Sequence, residues 1–270
     1  MKVGAALVFA AAVSFTAADT AAAAGALAAD LAPHRAVYDM NLHATKPSSG
    51  IVGASGAMSY KFADACDGWT VENRTALTFS YNEGNQVATT WEFITWESKD
   101  GLRYRFHVRS SRDGSVVEEV EGQAKLDGRG QGGTAKFTKP QEMTLKLPKG
   151  TLFPTEHTLR AIQRAEAGDK VFLRTIFDGT GTDGPFEVNA IIGARQAPGN
   201  GDGEQMVRGT PSWRMNMAFY PATAKEALPD YEVGLSYFSN GVAKDVIQNF
   251  GDFALRAHLN KLEPLPKPDC

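Results

Sequence analysis

Apolar and polar residues alternate along most of this chain after position 34. Ala36, Tyr38, Met40 and Leu42 fall on one face of an extended segment, and Val37, Asp39, Asn41 and His43 on the other, the pattern of a half-buried strand. Similar windows follow at 50–62, 69–81 and 86–98, each separated from the next by Asp, Asn or Gly clusters that favour turns. Lys99-Asp100-Gly101 is a hairpin signal leading into 102–111, and Arg112-Asp113-Gly114 leads into 115–126. The spacing predicts a meander of antiparallel strands. Further strand windows are 134–137, 143–147, 170–177, 185–195, 213–220, 231–239 and 242–255.

One segment breaks this period. From Pro154 to Gly168 the chain carries a cap candidate in Thr155, helix formers through its middle and a closing glycine, which predicts a helix at about 155–167. Leu159, Ile162 and Ala165 form its narrow apolar stripe, so the helix must dock against a sheet to be stable. The stretch 196–209 reads as an exposed loop and 264–268 as extended, polyproline-like chain. So many strands with a single helix cannot leave their edges open without inviting intermolecular pairing. The expected fold is therefore all-β dominated: a curled antiparallel sheet or open barrel with one prominent helix. A single domain is preferred over two, because the linker candidate at 148–153 is short.

The amino terminus reads as an export signal. Met1-Lys2 is a short positive flank, and positions 3–18 are apolar and uncharged until Asp19, a length suited to a cleaved signal rather than to a membrane span. Small-residue cleavage sites occur at Ala22-Ala23-Ala24 and Ala26-Leu27-Ala28. The expected cut follows Ala28, leaving 29–270 as the mature domain in the bacterial periplasm or outside the cell; the alternative is that the segment stays as an anchor. No cysteine stands near that boundary to carry a lipid, and no later apolar run reaches the length of a membrane span. The two cysteines, Cys66 and the terminal Cys270, are expected to oxidise to a disulfide in such a compartment, stapling the tail to the early part of the fold. Two unpaired buried thiols are the alternative.

A formal net charge of −3 gives no reason to expect nucleic acid or an anionic membrane as main partner. The motifs of nucleophilic hydrolases, zinc proteases, phosphate loops and dinucleotide folds are absent, and the cysteines lack zinc-site spacing, so neither metal nor cofactor is expected. The five histidines are scattered. His157, beside Glu156 in the first turn of the helix, is the best candidate for chemistry, since the helix dipole there disfavours its charged form; the plainer expectation is a hydrogen bond to a neighbouring strand. Arg103, Arg105, His107 and Arg109 alternate with Tyr104, Phe106 and Val108 and make a basic row on one strand face. That row suits an anionic group or an acidic partner, or else it is a solvated face balanced by Glu92, Glu97, Glu118, Glu119 and Glu121. Trp91 and Phe93 fall on the face opposite Trp96, and a curled sheet lined with such groups can enclose an apolar cavity for a lipid-like ligand.

Four stretches carry a family resemblance: Leu31-Ala32-Pro33-His34-Arg35-Ala36-Val37-Tyr38, Cys66-Asp67-Gly68-Trp69-Thr70-Val71-Glu72-Asn73-Arg74, Leu147-Pro148-Lys149-Gly150-Thr151-Leu152-Phe153-Pro154-Thr155-Glu156-His157-Thr158, and the terminal Cys270. In this order they resemble the EipB family, periplasmic cell-envelope integrity proteins of alphaproteobacteria that were formerly a domain of unknown function. The resemblance covers nearly the whole chain after the signal. It implies a β-spiral bent around a helix, a Cys66–Cys270 disulfide, a role in envelope integrity under stress and no known catalytic residues. The fold implied is similar to lipoprotein carriers of the same compartment, which is analogy and names no cargo. The leading expectation is thus a non-enzymatic periplasmic protein acting through an envelope protein or lipid. A carrier of a lipid-like or lipoprotein ligand is the alternative, and an envelope-polymer hydrolase using Glu156 and His157 the less favoured third.

Overall fold

The computed structural model describes residues 30–198, 205–223 and 228–270. The expected signal segment 1–28 and part of the loop at 196–209 lie outside the described residues. Alternation at period two yields fourteen strands among them: β1 (His34–Thr45), β2 (Ile51–Asp64), β3 (Gly68–Tyr81), β4 (Gln86–Ser98), β5 (Arg103–Arg112), β6 (Ser115–Leu126), β7 (Gly133–Lys139), β8 (Met143–Leu147), β9 (Val171–Ile176), β10 (Phe186–Gln196), β11 (Ser212–Pro221), β12 (Tyr231–Phe238), β13 (Ala243–Asn249) and β14 (Phe253–Pro264). The helix α1 (Pro154–Glu166) stands between β8 and β9.

All fourteen strands belong to one antiparallel sheet, in the order β8-β7-β6-β5-β4-β3-β2-β1-β14-β13-β12-β11-β10-β9. Two meanders, β1–β8 and β9–β14, are joined where the first strand pairs with the last, from His34 opposite Pro264 to Thr45 opposite Phe253. The strands at the two ends of the sheet, β8 and β9, are consecutive in the chain, with α1 in their connection. The segment before α1 lies against β9: the Leu152 N–H donates to the Thr175 carbonyl at 2.9 Å, and the Phe177 N–H to the Leu152 carbonyl at 3.0 Å. Part of an otherwise open edge is thereby covered.

Both hairpin signals form turns. Asp113 and Gly114 have φ of 48° and 80°, the two consecutive positive values that a tight β5–β6 hairpin needs. The window 242–255 is instead two strands, split by a turn at Phe250-Gly251-Asp252, and the second continues to Pro264. Its period was hidden because Asn260 is an extra residue between the pairs Val37–Lys261 and Tyr38–Leu259, a bulge that shifts alternation by one. The helix starts at Pro154, one residue earlier than expected, and Thr155 does not cap it. Phe153 occupies the cap position, with no capping side chain of its own. Gly168 closes the helix with φ of 87°, its N–H donating to the Ala165 carbonyl.

The inner face of the sheet packs around two large apolar clusters, and a smaller third joins Ile162 of α1 to Leu31 and Phe62. One fills the space between β1–β3 and β9–β14, with Tyr38, Met40, Trp213 and Met215 fully buried. The other gathers Tyr104, Phe106, Val108 and Phe137 from β5–β7 against Phe153 and Phe177, the residues that flank α1 and β9. Ring centroids there lie 4.9 Å apart for Tyr104–Phe153 and 5.5 Å for Phe106–Phe177. The sheet curls tightly enough at this point that a Cβ on Gly179 would stand 2.4 Å from the Phe106 ring. The carboxyl tail leaves β14, donates one main-chain hydrogen bond from the Leu265 N–H to the Pro33 carbonyl, and ends in the Cys66–Cys270 disulfide with Cα atoms 5.8 Å apart. Both cysteines are solvent-exposed, so the alternative of two buried free thiols is set aside.

Candidate binding cavity

Because side chains alternate across each strand, every second residue of β1–β4 and β11–β13 points into the space that the curled sheet surrounds. The apolar cluster fills that space only in part. A cavity of about 550 Å³ remains, walled by Tyr60 and Phe62 of β2, Val71 and Leu77 of β3, Trp91 and Phe93 of β4, Met217 and Phe219 of β11, Val233 and Leu235 of β12, and the first turn of α1. Phe250 also lines it while being 42 % exposed, which puts an opening at the β13–β14 turn. Aromatic rings surround that opening: Phe219 stacks on Tyr231 at 4.3 Å, and Phe250 lies 5.2 Å from Phe253.

The wall is mostly apolar in area but carries polar side chains as well, among them Asn73, Thr75, Asn240 and Gln248. His34 and His157 line the cavity and are 2 % and 4 % exposed, and the Nε2 atom of each is buried without a hydrogen-bond partner. The other ring nitrogen of His34, Nδ1, is 2.7 Å from the Ala32 carbonyl oxygen. Burial holds both imidazoles below the usual histidine range, His157 to about 4 with the Arg174 charge adding to the effect. The cause in His157 is therefore desolvation first, rather than the helix dipole. Burial likewise raises the carboxyl of Asp178 and the phenols of Tyr60 and Tyr237, all three of which line the cavity. No lysine or arginine is among the described residues that line it.

The helix turn that carries His157 is held from across the sheet. Glu97 of β4, 2 % exposed, accepts the Thr155 N–H at 2.7 Å and the Glu156 N–H at 2.8 Å, satisfying two of the orphan donors at the start of α1. It supplies remotely the cap that Phe153 cannot, and a carboxylate is favoured there by the helix dipole. Burial outweighs these bonds and raises its carboxyl to about 7. Glu97, expected among the carboxylates that balance the basic row, lies on the opposite face, in register with the buried Tyr104. The alternation Trp91, Phe93, Thr95, Glu97 carries that signal, and His34 shares its parity with Ala36, Tyr38 and Met40 in the same way.

Glu156 and His157, adjacent in sequence, diverge in space. Glu156 is held by Arg160 at 2.7 Å and lies 3.6 Å from Arg129, while His157 packs on Phe172 at 5.2 Å and faces the cavity. Arg103, Arg105, His107 and Arg109 lie on the outer face. The guanidiniums of Arg103 and Arg105 stand 5.5 and 5.0 Å from the Trp96 ring, the His107 Nε2 is 3.2 Å from Glu119, and Arg109 is in register with Glu92 and Glu119. Lys139 bridges Glu119 and Glu121 at 3.0 and 3.3 Å. Arg105 and His107 border an open outer groove in which these carboxylates also stand, so the row sits in a mixed-charge surface.

Among the described residues no helix is long and apolar enough to cross a membrane. The family model described as EipB-like matches residues 25–266. The chain is 36 % identical over 250 residues to the Cell envelope integrity protein EipB of Brucella abortus (strain 2308), covering 90 % of this chain and 87 % of that one. A crystal structure of a beta-barrel-like protein of a domain of unknown function from Brucella abortus superposes with a TM-score of 0.80 at 34 % identity, over 87 % of this chain and 99 % of the other. A match of this extent, together with the curled antiparallel sheet, the helix α1 and the terminal disulfide, establishes that the chain belongs to the EipB-like family.

Proposed function

We propose that the mature chain, 29–270, acts as one non-enzymatic domain in the periplasm and supports the cell envelope by taking a lipid-like chain into the cavity of its sheet. The observation that carries this is the cavity itself, an apolar space inside the fold with an aromatic opening. Its 550 Å³ lies within the range of small-molecule sites. At ~30 Å³ for a water-sized group it holds about eighteen such groups, the bulk of one acyl chain. The name of the Brucella abortus relative supports the envelope role, and the signal-like amino terminus supports export. No observation favours the hydrolase alternative, since Glu156 is engaged by arginines and turned from His157.

Native mass spectrometry of the protein recovered from its own periplasm without detergent is expected to show one lipid-mass adduct per chain. Val233→Trp, which fills the cavity from β12, is expected to fold, to lose the adduct and to fail to restore detergent resistance to cells lacking the gene. An empty wild-type chain would remove the lipid part of the proposal and direct the search to a protein partner.

A further inference from the structure

Two buried nitrogen atoms in one cavity lack partners, and such groups are costly unless something meets them. The neutral imidazole has one N–H and one bare acceptor. The Ala32 carbonyl, which only accepts, stands 2.7 Å from His34 Nδ1, so Nδ1 carries the hydrogen and Nε2 is left as a bare acceptor in the cavity wall. A group that meets it must donate. An ester carbonyl cannot, whereas a hydroxyl or an amide N–H can.

The same wall argues about charge. It contains the Asp178 carboxyl and no lysine or arginine among the described residues, so an anionic head would find no cationic side chain in the wall to pair with and would stand beside a carboxyl group. We propose that the cavity takes a single-chain amphiphile whose uncharged end donates a hydroxyl hydrogen to His34 Nε2, with His157 Nε2 offering a second polar contact on the wall. This rests on the lipid-binding proposal above and specifies its ligand. The acyl chain lies among Phe62, Leu77, Phe93 and Leu235, and the wall has no cationic side chain among the described residues to meet an anionic head.

Three C16 probes, presented from cyclodextrin at neutral pH, separate the possibilities: 1-monopalmitin, which has uncharged donors, methyl palmitate, which has an ester and no donor, and palmitate, which is anionic. Monopalmitin is expected to bind one per chain, about tenfold tighter than methyl palmitate and tighter than palmitate. It is also expected to move the ¹⁵N resonance of His34 Nε2, which methyl palmitate leaves in place. His34→Leu, which replaces an unsatisfied acceptor by an apolar group, is expected to erase the preference for monopalmitin over methyl palmitate. The ¹⁵N measurement on the wild type decides the matter even if that variant folds poorly. Equal binding of monopalmitin and methyl palmitate with an unmoved resonance, or tightest binding of palmitate, overturns the head-group inference and leaves lipid binding standing. Binding of none of the three, the result for a cavity that holds only water, overturns both.

Discussion

Replacing Glu97 with alanine is expected to destabilise the protein by about 3–5 kcal/mol, because the Thr155 and Glu156 N–H groups would lose their acceptor in a buried setting and a void would remain. Each stranded donor costs about 1–3 kcal/mol. Urea unfolding followed by fluorescence measures the loss, and a change below about 1 kcal/mol would remove Glu97 from its place as the cap of α1. The glutamine variant isolates the charge. A free glutamate titrates near 4.5, and burial raises Glu97 to about 7, so between those values the folded state holds a proton that the unfolded chain has released. Stability from this group is therefore present below about 4.5 and is lost as pH rises to about 7, with an amplitude of about 3 kcal/mol. His157 works the other way: its imidazole falls from 6.5 to about 4, so its contribution is full above 6.5 and is lost as pH falls to about 4. In the wild type the two slopes oppose each other between about 4.5 and 6.5. Glu97→Gln leaves the histidine slope alone, and its stability relative to wild type is expected to rise by about 3 kcal/mol from pH 4.5 to pH 8. A gap that stays constant with pH would show that folding does not shift the Glu97 carboxyl.

The second large effect concerns the disulfide. A cross-link between residues 204 positions apart removes loop entropy from the unfolded chain worth up to about 5 kcal/mol. Cys66→Ser and Cys270→Ser are each expected to lower stability by an amount approaching this, and the double variant is expected to lose little more than either alone, because one bond is broken in all three. The bond is exposed, so reduction of the wild type with dithiothreitol should reproduce the loss. Additive losses would show that each cysteine contributes by packing rather than by the link. Beyond the disulfide the tail has few attachments: the Leu265 bond to Pro33, and Lys267 at 3.4 Å from Asp30. Reduction should therefore expose the last residues to carboxypeptidase well before the sheet unfolds.

Much of the fold was legible because strands and turns are written locally. Ala36, Tyr38, Met40 announce an inner face by period alone, Asp113-Gly114 announces a hairpin because few residue pairs accept two positive φ values, and Gly168 marks a helix end for the same reason. The errors came where a local signal was altered by a distant partner. Asn260 breaks the period because β14 must fit β1, and Thr155 yields the cap because Glu97 reaches it from another strand.

The sequence by itself determined most of the strands, the tight turns, the helix α1 and the pair of cysteines available for oxidation, since each depends on side-chain period, backbone freedom or chemistry within a few residues. Only the tertiary structure decided that β1 pairs with β14, that Glu97 and not its neighbours enters the interior, that Glu156 and His157 part company, and that His34 and His157 share one unfilled space. Those outcomes turn on how far the sheet curls before its inner faces meet. That curl is set by the summed twist and bulges of fourteen strands acting together, a quantity that no short stretch of the chain contains.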